Sequence, residues 1–447
     1  MNLFVYGTGM SGIAHAIALR SAGHKVVLLD SSENIASGWA SDQVRLGTEN
    51  YTLPRGIRIP VLTNTKADDY FFFDKVYGDI DWYKYTEWAL EGCIAGPFSN
   101  PQTSNLDVRS LGLTPSSLYA EIENALKSDC STELDRLCRT YGKSITDKVF
   151  EPIAKSRLGL SLKRLPFGAM SGLIPTRLII FDRNKWQAEK ENYPSLSPLL
   201  AVHERKELEV IPHLPLIFPK NVSINDWVQA LKKKLTADDI NVFQGQKFKV
   251  SWNSNVSLYS VEIEGQTLEA EALIWTKSKR ELISHLLPNK VLKYNDKLSY
   301  RTLSVAHLLC SKRPKTNHEF AINLSPDSMV HRYMLWQNFK PSPTNTNVIS
   351  IEKIDINNNK FDQNFLSASI TELIRHEYLP EFTKILDVKL IENIANIPIE
   401  TKESTLISDY YNKIIDDDFP GTFLISSSGV KFLHDILKDA FRLSRQL

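Results

Sequence analysis

The sequence predicts an α/β protein with a discontinuous Rossmann-like domain, a second part dominated by β-sheet, and an inserted helical part. Three observations carry this. A glycine triplet follows an apolar strand within the first twelve residues, strand-type runs crowd the region after about residue 240, and the last forty residues return to strand and helix.

The first element is "LFVY", an apolar run of strand type, followed at once by "GTGMSG". "IAHAIALRSAG" then sets Ile13, Ala16, Ile17 and Leu19 at helical spacing and ends on Gly23, and "KVVLLD" reads as a second buried strand. This βαβ pattern is the register of a dinucleotide site. Gly7 permits the tight turn, Gly9 lets the backbone approach a pyrophosphate, and Gly12 lets the helix pack closely on the sheet. Met10 and Ser11 open the helix, whose unpaired N–H groups face the phosphates. Asp30, followed by Ser31, closes the second strand about 20 residues on, where a ribose-hydroxyl acceptor belongs. An acid at position 30 argues against a ribose 2′-phosphate and leaves NAD or FAD.

At 447 residues the chain is long for one core, and two or three closely packed parts are expected. The 53 basic and 52 acidic side chains nearly cancel, which gives no overall field for nucleic acid or an anionic membrane. Cys93, Cys130, Cys138 and Cys310 form no Cys-x-x-Cys pair and lack histidines at zinc-ligand spacing, so neither a disulfide frame nor a metal is expected. The N-terminus has no secretory pattern, and no apolar run reaches the length of a bilayer span. The expectation is a cytoplasmic protein acting on a small molecule, without nucleic acid or membrane span, with a homodimer left open.

Downstream, residues 31–75 read as loop-rich. "TPSSLYAEIENALKS", "ELDRLCRTYG" and "SITDKVFEPIAKSRLG" read as helices, the first with a Thr cap and Pro at its first position. "INVF", "KFKVSW", "YSVEI", "EALIWT", "TLSVAHLLC", "FAINLS", "HRYMLW" and "VISIEKI" read as strands, and "DINNNKFDQN" as a surface turn. "TFLIS" and "GVKFLHDILKDAFRLSRQL" supply the C-terminal strand and helix.

In this order the motifs resemble the FAD-dependent superfamily of amine oxidases, protoporphyrinogen oxidase and UDP-galactopyranose mutase. "LIPTRLIIFD" is similar to the mutase segment leading into its substrate loop, "LIWT" to its apolar strand ending in Thr, and "LSYRTL" to its Leu-x-Tyr-Arg-Ser-Leu. "FAINLSPDSMVHRYMLW" and "IPIETKESTLISDYY" follow in mutase order. The resemblance implies FAD in a glutathione-reductase-like domain formed by residues 1–75, 216–295 and 401–447. A helical insertion and substrate loop would span 76–215, and a β-sheet substrate domain 296–400.

It also implies site residues. Gly38 and Trp39 stand where the family has Gly-Gly, Arg58 where the mutase has a His against the flavin, and Ser427, Ser428, Gly429 and Val430 where it has its C-terminal flavin motif. With Phe248 these complete the expected cofactor contacts. Arg58 and Arg332 are the expected catalytic groups; Arg177, Arg301, Tyr333 and Trp336 would hold substrate. Arg332 and Tyr333 are neighbours in a strand and share a pocket only if a bulge intervenes. His331 is the histidine to watch. The mutase Tyr-Tyr-Pro-Val is replaced by Asn396, Ile397, Pro398 and Ile399, which weighs against mutase chemistry. The expected function is therefore oxidation of a small polar, anionic substrate by hydride transfer to flavin. A mutase-like isomerase using reduced flavin and a non-catalytic nucleotide-binding protein are the alternatives.

Overall fold

A computed structural model of the chain describes residues 1–36, 41–55, 81–84, 90–208, 210, 217–219, 224–287, 299–339, 342, 344, 346–356, 361–425 and 433–447. The chain opens with β1 (Asn2–Tyr6), α1 (Met10–Ser21) and β2 (Lys25–Asp30), as the sequence predicts. Residues 31–75 contain more order than expected: β3 (Ser41–Leu46) and β4 (Glu49–Pro54) form an antiparallel hairpin. It turns through Gly47 at φ +60° and buries Val44, Leu46, Tyr51 and Leu53.

β5 (Trp82–Lys84) pairs only with the short β7 (Ile217–Pro219), whereas β6 (Glu91–Ile94) joins the large sheet described below. Between β6 and β7 lie α2 (Pro115–Leu126), α3 (Glu133–Ile145) and α4 (Glu151–Leu158). Thr114 and Thr132 cap α2 and α3, each accepting from the backbone N–H three residues on. A π turn over Thr146–Phe150 links α3 to α4. Leu118, Leu137, Ile145, Phe150 and Ile153 form the core of this part.

β8 (Asn241–Gln244) follows α5 (Ile224–Ala237) and lies beside β2; β9 (Val250–Asn253), β10 (Leu258–Ile263) and β11 (Gln266–Ala270) make a three-stranded antiparallel sheet. The chain then returns to β1 through β12 (Ala272–Trp275), which precedes α6 (Lys279–Leu286). With β18 (Thr422–Leu424) the order in the parallel sheet is β18-β12-β1-β2-β8. Its central strands β12 and β1 read apolar on both faces because both are covered. Leu3 and Val5 meet α1 and the C-terminal helix, while Phe4 and Tyr6 meet Val250, Tyr259 and Val261 of the antiparallel sheet.

The second sheet contains β13 (Ser299–Cys310), β14 (Phe320–Asn323), β15 (Val330–Leu335), β16 (Val348–Asp355) and β17 (Ile385–Ile399) in the order β17-β13-β16-β15-β14-β6. α7 (Gln363–Arg375) covers one face with Leu366, Ile370 and Leu373, and the β3–β4 hairpin covers part of the other. α8 (Lys402–Asp418) and α9 (Leu433–Gln446) flank β18, and α9 packs along α1.

Candidate functional site

The glycine turn is built as its spacing requires. Gly7 sits at φ +115°, and a Cβ there would lie 2.3 Å from Thr276 Oγ1. Its N–H donates to Leu29 O at 2.7 Å, which locks the turn to the end of β2. A Cβ on Gly12 would lie 1.7 Å from Gly7 O, so the first turn of α1 rests directly on the preceding loop. Gly9 is different: it is the exposed N-cap of α1, and a Cβ there meets nothing within 4 Å. It supplies no side-chain cap, so the first-turn amides at Met10, Ser11 and Gly12 keep their donors for a ligand. This cradle fits a diphosphate.

The end of β2 departs from the expectation. Asp30 is buried, and its Oδ2 accepts from Thr8 N at 2.6 Å and Thr8 Oγ1 at 2.7 Å. Its Oδ1 accepts from Ser32 N at 2.8 Å and pairs with Lys277 Nζ at 2.5 Å. Burial pushes this carboxyl up, but Lys277 and the Thr8 and Ser32 donors outweigh it and hold it below its ordinary value. Ser31 is exposed and its hydroxyl accepts from Lys277 at 3.1 Å. Phe248 is buried in the layer between the two sheets of this half, with Tyr6, Trp275 and Tyr259. Trp275 stacks on Tyr6 at 4.1 Å and is core.

The second sheet gathers cations. Between Val330 and Arg332 the pairing of β15 with β16 slips by one residue, a bulge that sets His331 and Arg332 together opposite Glu352. Arg332 Nε lies 3.3 Å from Glu352 Oε2. The bulge comes before Tyr333 and leaves it on the other face, fully buried, with its hydroxyl donating to Glu372 Oε2 of α7 at 2.5 Å. Arg332 and Tyr333 therefore do not share a pocket.

Two further guanidiniums act on His331. Arg301 lies in β13 and Arg157 in α4, with 7% and 3% of their surfaces exposed. Nη2 of Arg157 donates to Asn323 O at 2.8 Å, but its Nε and Nη1, like those of Arg301, are buried without a hydrogen-bond partner among the described residues. Burial pulls both guanidiniums down to about 10, which still leaves them charged at neutral pH. His331 is held well below its ordinary value by burial and then by Arg332, Arg157 and Arg301, so it is neutral at pH 7. Buried donors without acceptors are costly, and an arriving anion satisfies them.

Arg177 is exposed in the helical part, and Arg157 takes the third place in the cluster instead. Its signal in the sequence is a charge on an apolar stripe, since Ile153, Ala154 and Leu158 of the same helix are all buried. Trp336 is core: it packs on Phe339 and its Nε1 donates to Ser350 Oγ at 2.5 Å. Gly38, Trp39, Arg58, Ser427, Ser428, Gly429 and Val430 lie outside the described residues. Among the described residues there is no group of three or more His, Cys, Asp or Glu suited to a metal, and no helix long and apolar enough to cross a membrane.

Residues 5–71 match the family model of the NAD(P)-binding Rossmann-like domain. No curated protein matches the chain in sequence. Its structure is similar to that of a reduced UDP-galactopyranose mutase, with a TM-score of 0.69 at 12% identity over 100% of this chain and 93% of that one. It is also similar to a protein assigned as a protoporphyrinogen oxidase from Exiguobacterium sp. 255-15, with a TM-score of 0.60 at 14% identity, covering 100% and 98%. An oxidoreductase from Methanosarcina mazei gives 0.57 at 9% identity, covering 100% of both chains. The chain thus has the α/β fold shared by these proteins, as its motif order implied.

Proposed function

We propose that the chain binds FAD across the glycine cradle and oxidises a small polar, anionic molecule by hydride transfer to the flavin. The observation that carries this reading is the set of buried, unsatisfied guanidinium donors of Arg157 and Arg301, whose charges reach His331 together with that of Arg332. The fold likeness to oxidoreductases supports it. The flavin, when bound, supplies the electron sink.

The chain's own residues then have defined tasks. Gly7, Gly9 and Gly12 bring the backbone and first-turn amides of α1 to the diphosphate. Arg157, Arg301 and Arg332 hold the anionic end of the substrate and fix its orientation. His331, neutral at pH 7, offers a ring nitrogen that can accept or donate one hydrogen bond.

The test is anaerobic mixing of FAD-loaded protein with small carboxylates and phosphate esters bearing an amine or hydroxyl. Bleaching of the flavin by anionic members, and not by their neutral amides or alcohols, is the expected result. Bleaching by neutral analogues alone, or by none of the panel, would refute the reading. A mutase-like isomerase is the second reading, supported by the fold likeness to that enzyme. It requires sugar-nucleotide turnover only after flavin reduction, with no net consumption of electrons. A binding protein without catalysis gives neither result.

A further inference from the structure

An ionised carboxylate offers about four lone-pair sites. In Asp30 they face four protein donors: Thr8 N, Thr8 Oγ1, Ser32 N and Lys277 Nζ. Nothing is left to accept from ribose hydroxyls. The group presented beside Asp30 is Lys277, the residue after Thr276 at the end of β12. Its side chain is 20% exposed against 4% for Asp30, and its Nζ also lies 3.1 Å from Ser31 Oγ. The other groups facing it are Glu281, with Oε1 at 3.8 Å, and the Tyr6 ring, whose centroid is 5.5 Å away. Burial raises the Glu281 carboxyl above its ordinary value, against the pull of Lys277.

We infer that Lys277, and not Asp30, reads the adenosine ribose, while Asp30 is a positioning residue that holds Thr8 and the glycine turn. This rests on the reading of the cradle as a dinucleotide site. Its consequence reverses the usual logic of an acid at this position. A free carboxylate accepts from ribose hydroxyls and repels a 2′-phosphate. An ammonium donates to the ribose oxygens, so the adenosine subsite accepts an anionic 2′ substituent.

The test compares adenosine 2′,5′-bisphosphate with 5′-AMP on the full chain freed of flavin, by titration calorimetry. The bisphosphate is expected to bind roughly tenfold tighter at low salt, and the preference should shrink as ionic strength rises. Lys277→Arg keeps the preference. Lys277→Met abolishes or inverts it, because the Asp30 charge is then uncompensated. Thermal unfolding and circular dichroism confirm that each variant is folded, and if Lys277→Met is not, the wild-type ratio and Lys277→Arg decide. Tighter binding of 5′-AMP by the wild type, an unchanged ratio in Lys277→Met, or no binding of either nucleotide overturns the inference. FAD binding is measured in parallel: nucleotide preference without FAD binding would remove the flavin reading and leave Lys277 in its role.

Discussion

The carboxylate of Asp30 accepts from both the N–H and the hydroxyl of Thr8, at 2.6 and 2.7 Å, and so ties the end of β2 to the middle of the glycine turn. Loss of its charge also strands Lys277. Asp30→Asn should destabilise the protein by about 2 kcal/mol, between the values for exposed and fully buried ion pairs. The folded-state pKa is depressed, so the contribution is complete above the unfolded value of about 4 and is lost as pH falls through the lower folded value. Urea unfolding of wild type and variant should give a constant difference from about pH 6 to 8 that narrows only in the acid range. A difference that varied with pH in the neutral range would contradict this assignment.

Gly9 and Gly12 separate binding from folding. A Cβ on Gly12 collides with Gly7 O at 1.7 Å, whereas one on Gly9 meets nothing within 4 Å. Gly12→Ala should lower stability by roughly 2–4 kcal/mol, the range for forced overpacking and backbone displacement. Gly9→Ala should unfold like the wild type but bind dinucleotide at least about tenfold more weakly, because its methyl group stands where the diphosphate approaches. Equal loss of stability in the two variants would be the contrary result.

On the proposed reading, Arg301 is held for binding at the expense of stability. Its Nε and Nη1 are buried and unpartnered, so Arg301→Met should stabilise the unliganded protein by about 1 kcal/mol while weakening anion binding. Arg157→Met should weaken anion binding too, with a smaller thermal gain, because Arg157 already donates to Asn323 O. Thermal scans with and without an anionic ligand measure both effects. A marked loss of stability in Arg301→Met would show that the guanidinium is structural.

Tyr333→Phe tests which face of β15 carries the chemistry. The phenol donates to Glu372, which also accepts from Asn323 Nδ2 at 2.7 Å. Removing it should cost about 1–2 kcal/mol of stability and leave kcat and KM for the substrate unchanged. A selective rise in KM with stability intact would return Tyr333 to the substrate site.

Legibility followed physical cause. The glycine turn was legible because Gly7 and Gly12 answer to local sterics, and the central strands β1 and β12 because burial on both faces leaves them nearly continuous apolar runs. The β3–β4 hairpin was hard to read because each strand carries only two alternating apolar residues, Val44 and Leu46 or Tyr51 and Leu53, too short a pattern to stand out among polar neighbours. β17, with "ILDVKLIENIANIPI", is an edge strand whose polar residues break the pattern, and Asn393 in it sits at φ +56°. Of the guanidiniums that act on His331, Arg301 and Arg332 were singled out from motif order. Arg157 was not, because helix periodicity files a residue at its position with the core. The sequence placed an acid at position 30 but could not show that a lysine 247 positions later would neutralise it. That depends on the parallel pairing of β12 with β1, a contact between distant segments.

The central claim is that this cradle holds FAD. Its most direct measurement is the visible absorption spectrum of the purified full chain after incubation with excess FAD and desalting, with Gly9→Ala treated in parallel. The account predicts a retained flavin spectrum near one cofactor per chain in the wild type and its loss in the variant. A colourless wild-type protein would contradict it.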